Sequence, residues 1–238
     1  MEAALIGHTG FVGSNLLPMC SWKSLYNSKN IEKIIGKSFD LVVCAGVDGR
    51  KWWVDTHQRE DWAKISRLFS CIMVSNIEKL VLISSIDAIN PTGAYGGNRK
   101  ILETLVLDRF KGCQILRLPA LFGPGLKKNP LYDLLTDNET FKIPANATYQ
   151  WFPVTRIADF VGKSTGIRTL TSVPIPMSQV AAFFFPNAEL GEASKDAPYY
   201  DVRSDHDPGG YTLSKVEVLT EIGEFIEQWR GKKSIPRG

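Results

Sequence analysis

The sequence predicts an α/β fold, a doubly wound parallel sheet with a small C-terminal lobe. Three observations carry that prediction. Short apolar runs alternate with helical stretches through the first half of the chain. The runs are continuously apolar rather than alternating, which is the pattern of parallel strands covered on both faces. The first run stops at a glycine-rich turn, Gly7-His8-Thr9-Gly10-Phe11-Val12-Gly13, that leads directly into a helix.

Residues 3–6 form the first strand, and residues 11–18 begin the first helix. Residues 23–26 make a weak second strand. Residues 40–46 are a clear third strand ending in glycine. Residues 61–75 have helical spacing, with Trp62, Ile65, Leu68, Phe69 and Ile72 on one face. Residues 79–84 are a fourth strand. Residues 95–110 are a second long amphipathic helix with Ile101, Leu102, Leu105 and Val106 apolar. Residues 114–118 are a fifth strand.

Beyond Gly123-Pro124-Gly125 the pattern weakens. A helix is expected over 156–165, a short strand over 172–176, a short helix over 178–185 and a loop over 186–211. The closing helix, 214–230, presents Val216, Leu219, Ile222, Phe225, Ile226 and Trp229 on one face. Ser214 with Glu217 three residues on reads as a capping box. The expected organisation is a dinucleotide-binding core over 1–125, then closing strands and a small substrate lobe over 126–238, in one compact unit.

The chain has 238 residues, 44% of them hydrophobic, which suffices for a full core. Its net charge of +3 is not gathered into a stripe, apart from Lys232-Lys233, so no nucleic-acid partner is expected. Cys20, Cys44, Cys71 and Cys113 form no CxxC pair and read as reduced thiols. His8, His57 and His206 are scattered, so no metal site is expected. With the first strand beginning near Met1 there is no room for a targeting segment, and no apolar run is long enough to cross a membrane. The expectation is a soluble cytoplasmic protein.

The glycine turn carries a specific geometry. Gly7 permits a tight turn, Gly10 lets backbone approach a pyrophosphate, and Gly13 lets the helix pack close to the strand. The pyrophosphate then meets free N–H groups and the positive end of the helix dipole. Thr9, Phe11 and Val12 belong to the same Rossmann-like turn.

Ser84-Ser85 lies at the C-terminal end of the fourth strand, the edge where ligands bind in such sheets. Tyr95 opens the next helix. Position i+4 lies about 40° around a helix from i, and i+5 about 140°. Arg99 therefore shares a face with Tyr95, and Lys100 does not. A cation beside a phenol favours the phenolate, which can exchange a proton with a substrate hydroxyl or carbonyl.

These motifs, with Leu116-Arg117-Leu118-Pro119 and Phe122-Gly123-Pro124-Gly125, resemble the extended short-chain dehydrogenases/reductases, in the epimerase/dehydratase branch. The resemblance is good over residues 1–125 and loose beyond. It implies a nicotinamide dinucleotide held at Gly7, Thr9, Gly10, Phe11, Val12, Gly13, Asn27, Ser28, Cys44, Ala45, Gly46, Ser84 and Pro119. It implies Ser85 (or Ser84) and Tyr95 as catalytic hydroxyls with Arg99 beside them. It implies a nucleotide-sugar substrate near Arg117, Leu121, Trp151 and Arg156, and a homodimer through helices 61–75 and 95–110. Trp151 reads equally well as a core residue. The loop 46–53 borders the cofactor in this fold, so Arg50 or Lys51 is placed to meet phosphate and Trp52 or Trp53 to cover a ring or fill the core.

Three departures from the family pattern matter. Arg99 stands where the family has lysine, and arginine differs in shape and hydration. No acidic residue follows the second strand, where an acid would hold the adenosine ribose and repel a 2′-phosphate. Asn27-Ser28-Lys29 there leans the cofactor towards NADP over NAD. The C-terminal lobe is short. Two other readings therefore stand beside a sugar oxidoreductase or epimerase: a non-catalytic dinucleotide-binding or redox-sensing protein, and a reductase of small carbonyl compounds.

Overall fold

A computed structural model describes residues 1–233, with side chains through residue 231, so the Lys232-Lys233 pair lies outside the described side chains. The chain forms two compact units. The first comprises Met1–Leu118 and Thr155–Thr169, and the second comprises Pro119–Val154 and Leu170 onward.

The first unit is built on strands β1 (Ala3–Ile6), β2 (Ser24–Tyr26), β3 (Ser38–Cys44), β4 (Asn76–Ser85) and β5 (Gln114–Leu118). Helices α1 (Phe11–Leu16), α2 (Lys51–Val54), α3 (Gln58–Met73) and α4 (Ala94–Arg109) connect them. A sixth strand, β9 (Gly166–Thr169), returns from later in the chain. The order is β2-β1-β3-β4-β5-β9, and every pairing is parallel. Between β2 and β3 the chain makes only a 3₁₀ turn, Ile31–Ile34. The order therefore reverses between β1 and β3, and the crevice at that reversal is where a doubly wound sheet holds its ligand.

Continuous apolar runs predicted a doubly covered sheet, and the strands bear this out, since consecutive residues Ala3–Ile6, Val42–Cys44 and Leu80–Leu82, which face opposite sides, are all buried. Ala4, Ile6, Val42, Cys44, Leu80, Leu82 and Ile115 are buried in one core with Ile65, Leu68 and Ile72 of α3 and Leu102 and Val106 of α4. Ile101, expected on the apolar side of α4, is 49% exposed. It sits one residue before Leu102, and a helix turns about 100° per residue.

Several sequence expectations are corrected. The first helix stops at Leu16 and tightens to 3₁₀ over Leu17–Met19, where Pro18 lacks the N–H that an α-turn needs. Residues 156–165 do not form an α-helix. A 3₁₀ turn, Val154–Asp159, is followed by Gly162 and Gly166 at φ +74°, and the chain then extends into β9. The strand expected over 172–176 shortens to β10 (Ile175–Pro176), with one bridge at Ser172, since two prolines in that stretch cannot donate to a ladder.

The second unit holds two small sheets. Parallel β6 (Ala120–Phe122) pairs with β8 (Trp151–Pro153), and antiparallel β7 (Thr148–Tyr149) pairs with β10. Helix α5 (Pro130–Thr136), which the sequence did not announce, starts where the Asn129 carboxamide oxygen accepts the Tyr132 N–H at 2.9 Å. Helix α6 spans Met177–Phe184, and α7 spans Lys215–Lys233. The capping box is formed: Ser214 Oγ accepts the Glu217 N–H at 3.3 Å, and Glu217 Oε2 accepts the Ser214 N–H at 2.8 Å.

Candidate active site

The glycine turn is set by contacts that side chains would break. Gly7 has φ +84°, and a Cβ there would lie 2.3 Å from the Ala45 carbonyl oxygen. A Cβ on Gly13 would lie 2.1 Å from the Gly7 oxygen. The Gly7 N–H donates to Tyr26 O at 2.8 Å, and the Gly10 N–H donates to Gly7 O at 2.9 Å. Gly10 is different, since a Cβ there would meet only Gly7 O, at 3.3 Å. Its outer side is open. It is also the N-cap of α1 and supplies no capping side chain, so the helix offers its first-turn N–H groups outward. Thr9 and Gly10 are exposed, and Phe11 and Val12 are half-buried. The His8 ring is turned back onto Tyr26 O, with Nδ1 at 2.9 Å. This cradle fits a dinucleotide pyrophosphate.

Ala45 and Gly46 flank the same crevice, with the Ala45 N–H bonded to Ile6 O at 2.9 Å. Burial pushes the Cys44 thiol up to about 11, so that side chain is a neutral core group. On the other side of the crevice, the Asn27 side chain is spent on its own loop, accepting the Lys29 N–H at 2.9 Å. Ser28 offers its carbonyl to Arg67 at 3.0 Å, and Arg67 also pairs with Glu32.

At the end of β4 the two serines separate. Ser84 Oγ donates to Glu103 Oε1 at 2.6 Å, and Arg117 holds the same carboxylate, with Nη2 at 2.5 Å from Oε2. Glu103 is buried, so Ser84 and Arg117 belong to a buried network joining β4, α4 and β5. Ser85 turns elsewhere. Its Oγ donates to Asp87 Oδ2 at 3.0 Å and accepts the Asp87 N–H at 3.2 Å. Asp87 Oδ1 in turn accepts from Lys51 Nζ at 2.5 Å.

Tyr95 is brought to this cluster by the start of α4. Gly93, the N-cap of that helix, makes no side-chain cap, and Asp55 at the end of α2 supplies one by accepting the Tyr95 N–H at 2.8 Å. Gly96 permits the close approach, because a Cβ there would lie 2.3 Å from Asp87 O. The Arg99 guanidinium stacks 3.8 Å from the centre of the Tyr95 ring.

Burial pushes the Tyr95 phenol above its ordinary value, and the Arg99 cation pulls it back. The Asp87 carboxylate adds to the rise, while hydrogen bonds with Ser85 and Arg99 favour the phenolate. The net displacement is upward. The expectation drawn from Arg99 alone is therefore reversed, because desolvation of the phenolate outweighs one nearby cation.

Arg99 shares the Tyr95 face, as helical spacing required, and Lys100 points away to Ile89 O at 3.4 Å. The Arg99 donors turn inward. Nη1 reaches Asp61 Oδ2 at 2.8 Å and Tyr95 O at 3.1 Å, and Nη2 reaches Asp48 O. Asn98 also donates to Asp61 Oδ2, at 2.8 Å, while Asp61 Oδ1 has no partner. Arg99 and Asp61 are only 3% and 1% exposed at their side chains. Asp61→Ala would leave a buried, unpaired guanidinium and should lower stability by about 3–5 kcal/mol. Urea unfolding measures this, and a midpoint equal to that of the unaltered protein would contradict it.

Arg156 is half-exposed on the 3₁₀ turn before β9. The second unit holds the other expected ligand residues. Pro119 and Leu121 are half-exposed around β6, and Leu121 faces Phe152 in the β6–β8 register. Trp151 is fully buried against Tyr149, with ring centres 5.5 Å apart, so it is a core residue of that unit. The sequence reading missed Asp87, Asp55, Asp61 and Glu103. Only Asp87 carried a local signal, two residues after Ser85. Among the described residues no cluster of His, Cys, Asp and Glu could hold a metal, and no helix is long and apolar enough to cross a membrane.

No protein-family model matches the sequence, and no curated protein matches it. Solved structures do match. UDP-glucose 4-epimerase of Thermotoga maritima, solved with UDP-glucose, is similar with a TM-score of 0.73 at 10% identity, over 98% of this chain and 100% of that one. The Bordetella bronchiseptica enzyme WbmG, in complex with NAD, is similar with a TM-score of 0.69 at 15% identity, over 98% and 94%. The dTDP-glucose 4,6-dehydratase DesIV of Streptomyces venezuelae, solved with NAD, is similar with a TM-score of 0.70 at 12% identity, over 98% of both chains. At these identities the likeness is one of fold. The chain shares the fold of these three enzymes, a parallel doubly wound sheet of the kind its motifs led one to expect.

Proposed function

We propose that this chain is a nicotinamide-dinucleotide-dependent oxidoreductase or epimerase acting on a sugar carried by a nucleotide. One observation supports it above the others. Ser85, Tyr95 and Arg99 converge at the C-terminal end of β4, in the unit that also carries the glycine turn. The bound cofactor supplies hydride chemistry. Gly7, Gly10 and Gly13 would hold its pyrophosphate, with Ala45 and Gly46 beside them. Tyr95 takes or returns the proton of the substrate hydroxyl. Ser85 holds the same oxygen by a hydrogen bond, and Arg99 stabilises the phenolate through its stacked charge. Arg156 is the cation offered to the substrate diphosphate. The loop 27–30 carries no carboxylate, which supports NADP over NAD.

A thermal-shift series with NAD and NADP, each with and without UDP- and dTDP-sugars, tests this reading, since a ligand that binds only the folded chain raises Tm with its affinity. Tm should rise with a dinucleotide, more with NADP, and again with a nucleotide sugar. A Tm unmoved by either dinucleotide overturns the proposal. The pairing of Arg99 with Asp61 favours one second reading, a non-catalytic dinucleotide sensor. That reading requires cofactor binding with no hydride exchange across the sugar panel.

A further inference from the structure

We propose that Asp87 and Lys51 form the outer end of a proton relay that serves Ser85 and Tyr95. The proposal rests on the reading of Tyr95 as an acid–base group. It extends that reading to two residues from separate elements, the turn after β4 and helix α2.

The hydroxyl inventory is the starting point. A serine has one hydrogen to give and two lone pairs to offer. The Asp87 N–H occupies one lone pair of Ser85, at 3.2 Å, and the Ser85 hydrogen goes to Asp87 Oδ2, at 3.0 Å. The remaining lone pair is available to the phenol or to a substrate hydroxyl. Once Tyr95 is ionised, the same hydrogen has a second acceptor in the phenolate. Ser85 is therefore a rotor between Tyr95 and a carboxylate.

Lys51 fixes the far end. Its ammonium holds Asp87 Oδ1 at 2.5 Å, which leaves Oδ2 for Ser85 and offsets the charge that Asp87 presents to the phenol. The Lys51 side chain is 41% exposed, so the chain of hydrogen bonds ends at solvent. The α2 segment grips the site twice, since Asp55, just past its end, also accepts the Tyr95 N–H. The charged groups nearest the phenol are Arg99 of α4, which is held by Asp61 of α3 and by the Asp48 carbonyl, and Asp55, which accepts the Tyr95 N–H. Arg99 has its own counter-ion in Asp61, at 2.8 Å, so the Asp87 charge is balanced by Lys51.

The step balances. After the phenolate accepts a substrate proton, Tyr95 is neutral. Its O–H bond breaks as Ser85 Oγ gains that proton, the Ser85 O–H bond breaks as Asp87 Oδ2 gains the next, and Asp87 releases a proton to water. One proton leaves, no electrons change hands, and phenolate and carboxylate are restored.

The test reads Tyr95 directly, by ultraviolet difference titration of the full chain minus its Tyr95→Phe variant, without substrate. Asp87→Asn removes an anion near the phenol, so the midpoint should fall. Lys51→Met removes the cation that offsets that anion, so the midpoint should rise, and Lys51→Arg should restore it. A purely structural role does not produce opposite signs. No movement, or movement in one direction for both variants, overturns the relay. Lys51 is partly exposed, so Lys51→Met and Lys51→Arg carry the test even if Asp87→Asn fails to fold. In turnover, Asp87→Asn should lower kcat roughly tenfold with KM unchanged, a loss confined to the proton-transfer step. A chain that turns over no sugar would sink the functional reading while the titration still decides the relay.

Discussion

Tyr95→Phe is expected to lower turnover by about 10²–10⁴-fold, the range over which a positioned acid–base group contributes. The variant keeps the ring that Arg99 stacks on, at 3.8 Å, and keeps the backbone N–H that Asp55 caps. It removes only the hydroxyl, so fold and cofactor affinity should remain. Steady-state kinetics and a cofactor titration separate the two effects. The phenol is displaced upward by burial. Oxidation of a substrate hydroxyl needs the phenolate, so its rate should climb as pH rises through the neutral range, and Tyr95→Phe should flatten that climb. Turnover within a few-fold of the unaltered protein would remove Tyr95 from the mechanism.

The glycine turn makes the second large prediction, and it separates stability from binding. Gly7→Ala forces a Cβ to within 2.3 Å of Ala45 O at φ +84°, and Gly13→Ala forces one to within 2.1 Å of Gly7 O. Backbone must move in both, at about 1–3 kcal/mol of overpacking. Helix α1 shifts away from β1, and dinucleotide affinity should fall roughly 10–100-fold, since about 1.4 kcal/mol is tenfold. Gly10→Ala asks for a shift of only a few tenths of an ångström in the free chain, since its one neighbour would be Gly7 O at 3.3 Å. Its methyl group stands instead on the open face offered to pyrophosphate. It should keep Tm and lose cofactor affinity. If Gly10→Ala binds a dinucleotide as tightly as the unaltered chain, the pyrophosphate does not sit on this turn.

Much of the first unit was legible because its signals are local. The bounds of β1 and β5 match the apolar runs residue for residue, and α3 and α4 follow their helical spacing within a few residues. The second unit was less legible. Its strands β6, β7, β8 and β10 are two or three residues long, too short for any period to show. The helix expected over 156–165 is a 3₁₀ turn instead, and β9, just beyond it, carried no sequence signal, since only pairing with β5 selects its extended form.

The sequence by itself determined the parallel sheet, the glycine turn at its reversal point and the order Ser85, Tyr95, Arg99. Each is written in neighbouring residues, where spacing alone places side chains on a face or at a strand end. The tertiary structure decided what those groups touch. It gave Ser84 to Glu103 and Ser85 to Asp87, turned Arg99 onto Asp61, and brought Lys51 and Asp55 to the site from α2. Those partners lie between 2 and 40 positions apart in the chain. Charge and hydrogen bonding act over a few ångströms of space rather than along the sequence, so most of these pairings had no signature until the sheet and its helices set them side by side.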